Sequence, residues 1–257
     1  MKIAIGGYGK IGGWLAVLLS KDHTIGVYDI NPLRQAAIPD PLRLENIESL
    51  VQFGPEMLVN AVSLPRTIEA YDAVMPMLDK NCILADVASI KGDLSEYYRK
   101  QGRPFVSVHP MFGPTFAAMA SLAGENAIII KGSDPAGDAL FRGLLLKNEV
   151  RVFDYTFEEH DRMMAYSLTT PFVASLVFAA CTNSTIVPGT TFARHLKIAR
   201  GLLNEDDSLL TETLFNGYSA EQLDNITAQL EFLKHVIRGH DGEEAVKWFN
   251  RLRKNLE

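Results

Sequence analysis

The chain reads as an α/β protein: a mostly parallel, helix-covered sheet followed by an all-helical segment. Three observations predict this. Seven short runs rich in Val and Ile, bounded by Gly, Pro, Asp or Asn, alternate with helical patterns up to about residue 155. After Asp154 the strand pattern stops and helical patterns run to the end. The length of 257 residues, with 47% hydrophobic and 22% charged side chains, allows two cores of ordinary globular composition.

The strands are expected, in order, at Lys2–Ile5, Thr24–Tyr28, Met57–Val62, Cys82–Val87, Pro104–Val108, Ala127–Ile130 and Val150–Phe153. Helical patterns fill Ile11–Ser20, Thr67–Leu78, Leu94–Lys100 and Pro135–Leu146. Between Asn31 and Gly54 no regular pattern survives, because Pro32, Pro39 and Pro41 interrupt it. Thr156-Phe157-Glu158-Glu159 fits a capping box, with Thr at the N-cap and Glu at N3. Helices are expected from there over Glu158–Cys181, Thr191–Leu203, Ser208–Phe215, Ala220–Arg238 and Gly242–Asn255. The boundary therefore falls near residue 155, dividing the chain into 1–155 and 156–257.

Charge and cysteine usage narrow the function classes. A net charge of −6 argues against general nucleic-acid affinity, which needs clustered Lys and Arg, and means that any anionic ligand is held by local groups. Cys82 opens a strand and Cys181 closes an apolar helix, so both are expected as reduced core residues. No metal-ligand spacing occurs. Met1–Ile5 enters a strand at once, leaving no room for a signal peptide, and the apolar run Pro171–Cys181 is shorter than a bilayer span. The expectation is a cytoplasmic protein with no membrane partner.

Gly7-Tyr8-Gly9-Lys10-Ile11-Gly12 is GxGxxG placed directly after the first strand and opening a helix, the context of a Rossmann-type dinucleotide site. Gly7 permits the tight turn, Gly9 lets a diphosphate approach the backbone, and Gly12 allows close helix–strand packing. The diphosphate would sit on unpaired N–H groups at the positive end of the helix. Asp29 ends the second strand, where its carboxylate can accept ribose hydroxyls and repel a 2′-phosphate, which favours NAD over NADP although Arg34 is nearby. The turn Ser63-Leu64-Pro65 after the third strand either borders the same cleft or simply ends the strand.

Two further strand ends carry polar chemistry. Asp86-Val87-Ala88-Ser89-Ile90-Lys91 follows the fourth strand, and His109 lies where the fifth strand is expected to leave the sheet. In open α/β sheets ligands bind outside the carboxyl ends of the strands. A hydroxyl, an ammonium and an imidazole at that edge suit dehydrogenation of an alcohol, the histidine taking the hydroxyl proton. Each group also has a structural reading, as a helix cap or a strand-end hydrogen bond.

With these motifs in place the chain resembles the prephenate dehydrogenases of tyrosine biosynthesis. The match rests on the Gly7–Gly12 loop, the DxxSxK run at 86–91, His109-Pro110-Met111-Phe112-Gly113-Pro114, and Glu159-His160-Asp161 at the start of the helical segment. The resemblance implies a Rossmann domain followed by a helical domain that builds a homodimer, and NAD-dependent oxidative decarboxylation of prephenate to 4-hydroxyphenylpyruvate. It also implies that His109 is the catalytic partner of the ring hydroxyl and that Ser89 orients the hydroxyl and the histidine. His160 reads as a structural residue at the helix start.

The helical segment departs from the family pattern. Relatives carry histidines on the helix after His-Asp, where this chain has Leu168-Thr169-Thr170-Pro171-Phe172, so substrate contacts of those histidines do not carry over. Relatives also use an arginine on a later helix for a substrate carboxylate; Arg200 is the nearest match, one residue out of register. The helical projection offers His195 instead, emerging from the apolar arc of Leu196, Ile198, Ala199, Leu202 and Leu203. Lys91, His195 and Arg200 are thus the candidate substrate-binding residues. Three other readings stay open: an arogenate dehydrogenase, another Rossmann-plus-helical dehydrogenase such as a β-hydroxyacid enzyme, and a regulator that binds NAD without turnover.

Overall fold

The computed structural model describes residues 1–112, 121–183, 187–205 and 207–257. The chain divides into two compact units, Met1–Asp161 and Arg162–Glu257, the division falling inside the helix that begins at Phe157. In the first unit β1 (Lys2–Gly6), β2 (Thr24–Tyr28), β3 (Met57–Asn60), β4 (Ile83–Asp86), β5 (Phe105–Pro110), β6 (Asn126–Ile130) and β7 (Arg151–Tyr155) form one sheet. Their order is β2-β1-β3-β4-β5-β6-β7. Every pair is parallel except β5–β6. The α/β class and all seven expected strands are present.

Strand alternation sends side chains to two cores. Ile3, Ile5, Val27, Met57, Val59, Ala85, Val106 and Val108 face one side. There they pack on Leu15, Ala16 and Leu19 of α1 (Lys10–Leu19) and on Phe141 and Leu145 of the helix Pro135–Lys147. Ala4, Leu58 and Leu84 face the other side and meet one helix from the stretch that looked irregular, Ile47–Phe53, as well as helices that were expected.

That stretch contains α2 (Pro32–Ala37) and α3 (Ile47–Phe53). The error lay in reading the prolines as breakers. Pro32 occupies the first turn of α2, where a missing N–H costs nothing, and Asn31 caps the helix by accepting from Leu33 N and Arg34 N. Asn46 and Ser49 cap α3 reciprocally, and Gly54 at φ 63° ends it. The same face carries α4 (Thr67–Val74) and α5 (Leu94–Gln101), followed along the chain by α6 (Pro135–Lys147), the helix of the first core.

Two expectations for the helical segment need correction. The helix expected over Glu158–Cys181 is continuous from Phe157 to Ala180, but not α-helical throughout. It runs as α7 (Phe157–Met164), a π-helical turn at Ala165–Thr169, and α8 (Thr170–Ala180). Pro171 explains the turn: it lacks the N–H for the bond four residues back and its ring crowds that carbonyl, so the wider winding relieves both. By length and composition alone this helix could cross a membrane, which the shorter run Pro171–Cys181 did not suggest. Its first turns nevertheless carry Glu158, Glu159, Asp161 and Arg162. The second correction is Cys181, which is exposed where Cys82 is buried, because no residue of α8 is buried in this chain. The segment continues with α9 (Thr190–Leu203), α10 (Asp207–Leu214), α11 (Ser219–Gly239) and α12 (Gly242–Lys254).

Candidate active site

β1 has β2 on one side and β3 on the other, so the chain reverses its direction of travel across the sheet there, and that switch opens a crevice at the strands' carboxyl ends. The glycine loop lies in it. Gly7 has φ 98° and donates to Tyr28 O at 2.8 Å; a Cβ there would stand 2.9 Å from Ala61 O. A Cβ on Gly12 would collide with Gly7 O, whereas one on Gly9 would meet nothing within 4 Å. The three glycines thus differ as a dinucleotide site requires: two permit close packing and one leaves the helix N-terminus open. Lys10 is exposed and Ile11 half-buried at the start of α1.

Asp29 is 6% exposed and held by backbone donors. Its Oδ2 accepts from Tyr8 N at 2.7 Å and its Oδ1 from Asn31 N at 2.8 Å. One lone pair on each oxygen remains for ribose hydroxyls. A cavity of about 160 Å³ adjoins it, lined by Gly7, Asp29, Leu58, Asn60, Val62 and Arg66 among others. Ser63 and Pro65 are exposed in the turn between Val62 and Arg66 and do not line this cavity. These features fit an adenosine half-site: an apolar slot for a base beside a carboxylate for a sugar.

Around β4 and β5 the structure builds something the spacing did not reveal. Lys91 is wholly buried, and its Nζ donates to Asp86 Oδ1 at 2.7 Å and to Val108 O at 2.9 Å. Asp86 Oδ2 accepts from Tyr98 OH at 2.7 Å, and Tyr71 OH lies 3.0 Å from Tyr98 OH. Burial lowers the Lys91 pKa and raises those of both tyrosines. This corrects the placing of Lys91 at the substrate. Its charge is spent fastening the end of β4 to β5, because an ammonium withdrawn from water needs a carboxylate against it. Ser89, in the same turn, is half-buried.

His109 also differs from expectation, since it lies within β5 and not beyond it. Parallel pairing with β4 ends at Ser107, but antiparallel β6 continues the ladder through His109 and Pro110. Alternation puts Phe105, Ser107 and His109 on one face. Phe157 of α7 packs on Phe105 with ring centroids 5.9 Å apart, and one turn later His160 meets His109 at 5.1 Å. His109 Nδ1 lies 2.9 Å from His160 Nε2, and His160 Nδ1 lies 2.7 Å from Asp161 Oδ1. Asp161 Oδ1 and Oδ2 accept from Lys91 N and Gly92 N at 2.8 and 2.7 Å.

Burial, helped by His160 and Lys91, holds His109 well below the ordinary histidine pKa. Burial likewise lowers that of His160 against the pull of Asp161. For Asp161 burial alone would raise the pKa, but the bonds from His160, Lys91 N and Gly92 N outweigh it and hold it low. His109 Nε2 has no partner among the described residues, and the residue is 7% exposed. The arrangement presents a neutral imidazole with one committed and one open nitrogen, suited to take a proton.

Sequence reading treated His160 as merely structural and gave Asp161 no role. A signal was present: Phe157, His160, Asp161, Met164 and Ala165 follow the i, i+3, i+4, i+7, i+8 stripe of a buried helix face. Two polar groups at core positions of that stripe need partners. His195 and Arg200, both exposed, lie on α9 in the second unit. His195 Nδ1 is 3.0 Å from Thr191 O of its own helix. Gly113 and Pro114 of the His-Pro-Met-Phe-Gly-Pro motif lie outside the described residues.

Comparisons with known proteins bear on the family and the fold. Residues 20–131 match the family described as prephenate dehydrogenase, nucleotide-binding domain. The T-protein of Haemophilus influenzae is 26% identical over 169 residues, covering 64% of this chain and 40% of that protein. A probable arogenate/prephenate dehydrogenase of Methanocaldococcus jannaschii is 27% identical over 169 residues, covering 62% of this chain and 37% of its own length. The match thus spans about two fifths of these curated relatives. Among solved structures, prephenate dehydrogenase from A. aeolicus, in complex with hydroxyphenyl propionate and NAD+, superposes with TM-score 0.84 at 19% identity, covering 99% of this chain and 96% of that one. Synechocystis arogenate dehydrogenase gives 0.78 at 17% identity, covering 99% and 98%. The resemblance carried by the motifs therefore extends to the nucleotide-binding part and to the fold of the whole chain.

Proposed function

We propose that this relative of the prephenate and arogenate dehydrogenases is itself an NAD-dependent oxidoreductase, converting prephenate to 4-hydroxyphenylpyruvate with loss of carbon dioxide. The observation that carries the reading is His109: a neutral imidazole with one open nitrogen, in the unit that holds a dinucleotide crevice. Gly7, Tyr8, Gly9, Lys10, Ile11 and Gly12 would hold the diphosphate, with Asp29 on the adenosine ribose. When bound, NAD supplies the acceptor for a hydride.

The chain's own residues do the rest. As the substrate's ring carbon loses hydride, its hydroxyl proton passes to Nε2 of His109, and Ser89 orients that hydroxyl. The ring carboxylate then leaves as carbon dioxide, its electron pair completing the aromatic ring and carrying negative charge to the ring oxygen, which takes its proton back from His109 Nε2, so no other acid and no metal is required of the protein. The same residues serve if the substrate's side chain is that of an amino acid, as in arogenate. His195 and Arg200 are the candidates for the substrate's carboxylates. We place the enzyme in the cytoplasm as a homodimer.

The deciding assay supplies NAD with prephenate or arogenate and follows NADH and product. NADH formed with prephenate in preference to arogenate supports the reading, and the reverse preference makes it an arogenate dehydrogenase. Binding of NAD without turnover of either makes the protein a sensor. His109→Asn is expected to lower kcat by roughly two to four orders of magnitude, the range for a general base, with NAD affinity little changed. Near-normal turnover in a folded variant removes His109 from the mechanism.

A further inference from the structure

We propose that His160 and Asp161 are positioning residues that hold His109 in one tautomer, with its proton on Nδ1 and the Nε2 lone pair free for a substrate proton. For catalysis this rests on the reading of His109 as the base, but the tautomer itself is a property of the chain alone.

The order of protons follows from the donors. Lys91 N and Gly92 N can only donate, and they anchor both oxygens of Asp161 at 2.8 and 2.7 Å, so the group is an ionised acceptor. An ionised carboxylate cannot donate to His160 Nδ1 at 2.7 Å, so that nitrogen carries the proton. A neutral His160 then has a bare Nε2, which can only accept. Its partner at 2.9 Å, His109 Nδ1, must therefore donate. The second nitrogen of His109 is left with its lone pair.

Each bond fixes the next, and the charge that starts the sequence is held by backbone and not by a mobile side chain. The charged groups facing the two rings are Lys91, Asp86 and Asp161. Lys91 and Asp86 offset one another in a wholly buried pair. Burial keeps both imidazoles neutral at physiological pH, so no extra proton reverses the order.

Asp161→Asn tests the direction of the chain. Its amide has one oxygen for the three donors His160 Nδ1, Lys91 N and Gly92 N, so wherever its NH2 faces His160 that ring's proton moves to Nε2 and the His109 proton to the reacting nitrogen. The tautomer can be read without any substrate, from nitrogen-15 NMR of the imidazoles; the chain has six histidines, and His109→Asn identifies the signal. In the native protein His109 is expected to show a protonated Nδ1 and a bare Nε2, and in Asp161→Asn a smaller share of that tautomer. Turnover in Asp161→Asn should fall by on the order of 10²–10⁴-fold with KM for NAD unchanged, the scale of a base held in the wrong tautomer.

His160→Gln keeps an acceptor near the position of Nε2, and His160→Leu removes it. The Gln variant is expected to retain at least tenfold more kcat than the Leu variant at equal KM for NAD. A native His109 protonated on Nε2 overturns the proposal, as does equal kcat in the Gln and Leu variants. If the tautomer is as stated but neither prephenate nor arogenate is turned over, the relay stands and the proposed reaction fails.

Discussion

Asp29 is the residue whose chemistry was most legible before the fold was known. Its spacing from the glycine loop placed a carboxylate at the end of β2, and the structure adds that backbone N–H groups of Tyr8 and Asn31 orient it. A fixed negative charge there opposes a 2′-phosphate. The native protein is therefore expected to use NAD far better than NADP, and Asp29→Ser to narrow that gap; equal kcat/KM for the two cofactors in the native protein contradicts this. Lys91 shows the opposite case. Sequence put an ammonium at the correct strand end but could not show that Asp86, five residues back across a turn, had already claimed it. His160 and Asp161 were hidden for a related reason: their partners, His109 and the N–H groups of Lys91 and Gly92, are distant in sequence.

At the scale of elements, most strands declared themselves because both faces of the sheet are covered there, so they read as short apolar runs, while β7 at the edge stays partly exposed. The end of β5 did not, since its last residues are held by the antiparallel neighbour β6, a partner no local pattern announces. The start of α7 was legible in full. Thr156 N donates to Glu159 Oε2 at 2.7 Å and Glu159 N to Thr156 Oγ1 at 3.1 Å, the reciprocal box expected from the four residues. Thr156→Ala should cost about 1 kcal/mol, the usual worth of such a cap, as a lowered urea midpoint with unchanged slope. No change in the midpoint would mean that packing alone holds the helix start. The exposed pair Lys131–Glu159 adds little to this, being screened by water.

For the whole molecule, the division into a sheet part and a helical part was visible because the strand pattern stops, but what covers the helices was not. α8 is almost entirely apolar, yet none of its residues is buried, and Val177 is 48% exposed. Val177, and Ile198 and Leu203 of α9, are each about half exposed or more. A second copy of the chain is the expected cover. Light scattering at micromolar concentration should give twice the mass of one chain, and a mass of 28.4 kDa would count against it.

The two thiols have a practical consequence. Burial pushes Cys82 up to about 11, so almost none of it is thiolate at neutral pH, while Cys181 stands exposed at the end of α8. A thiol-reactive fluorophore thus marks a single position without any engineering of the chain. That position closes the helix whose apolar flank is bare, so the dye's emission becomes an optical gauge of whatever settles on it.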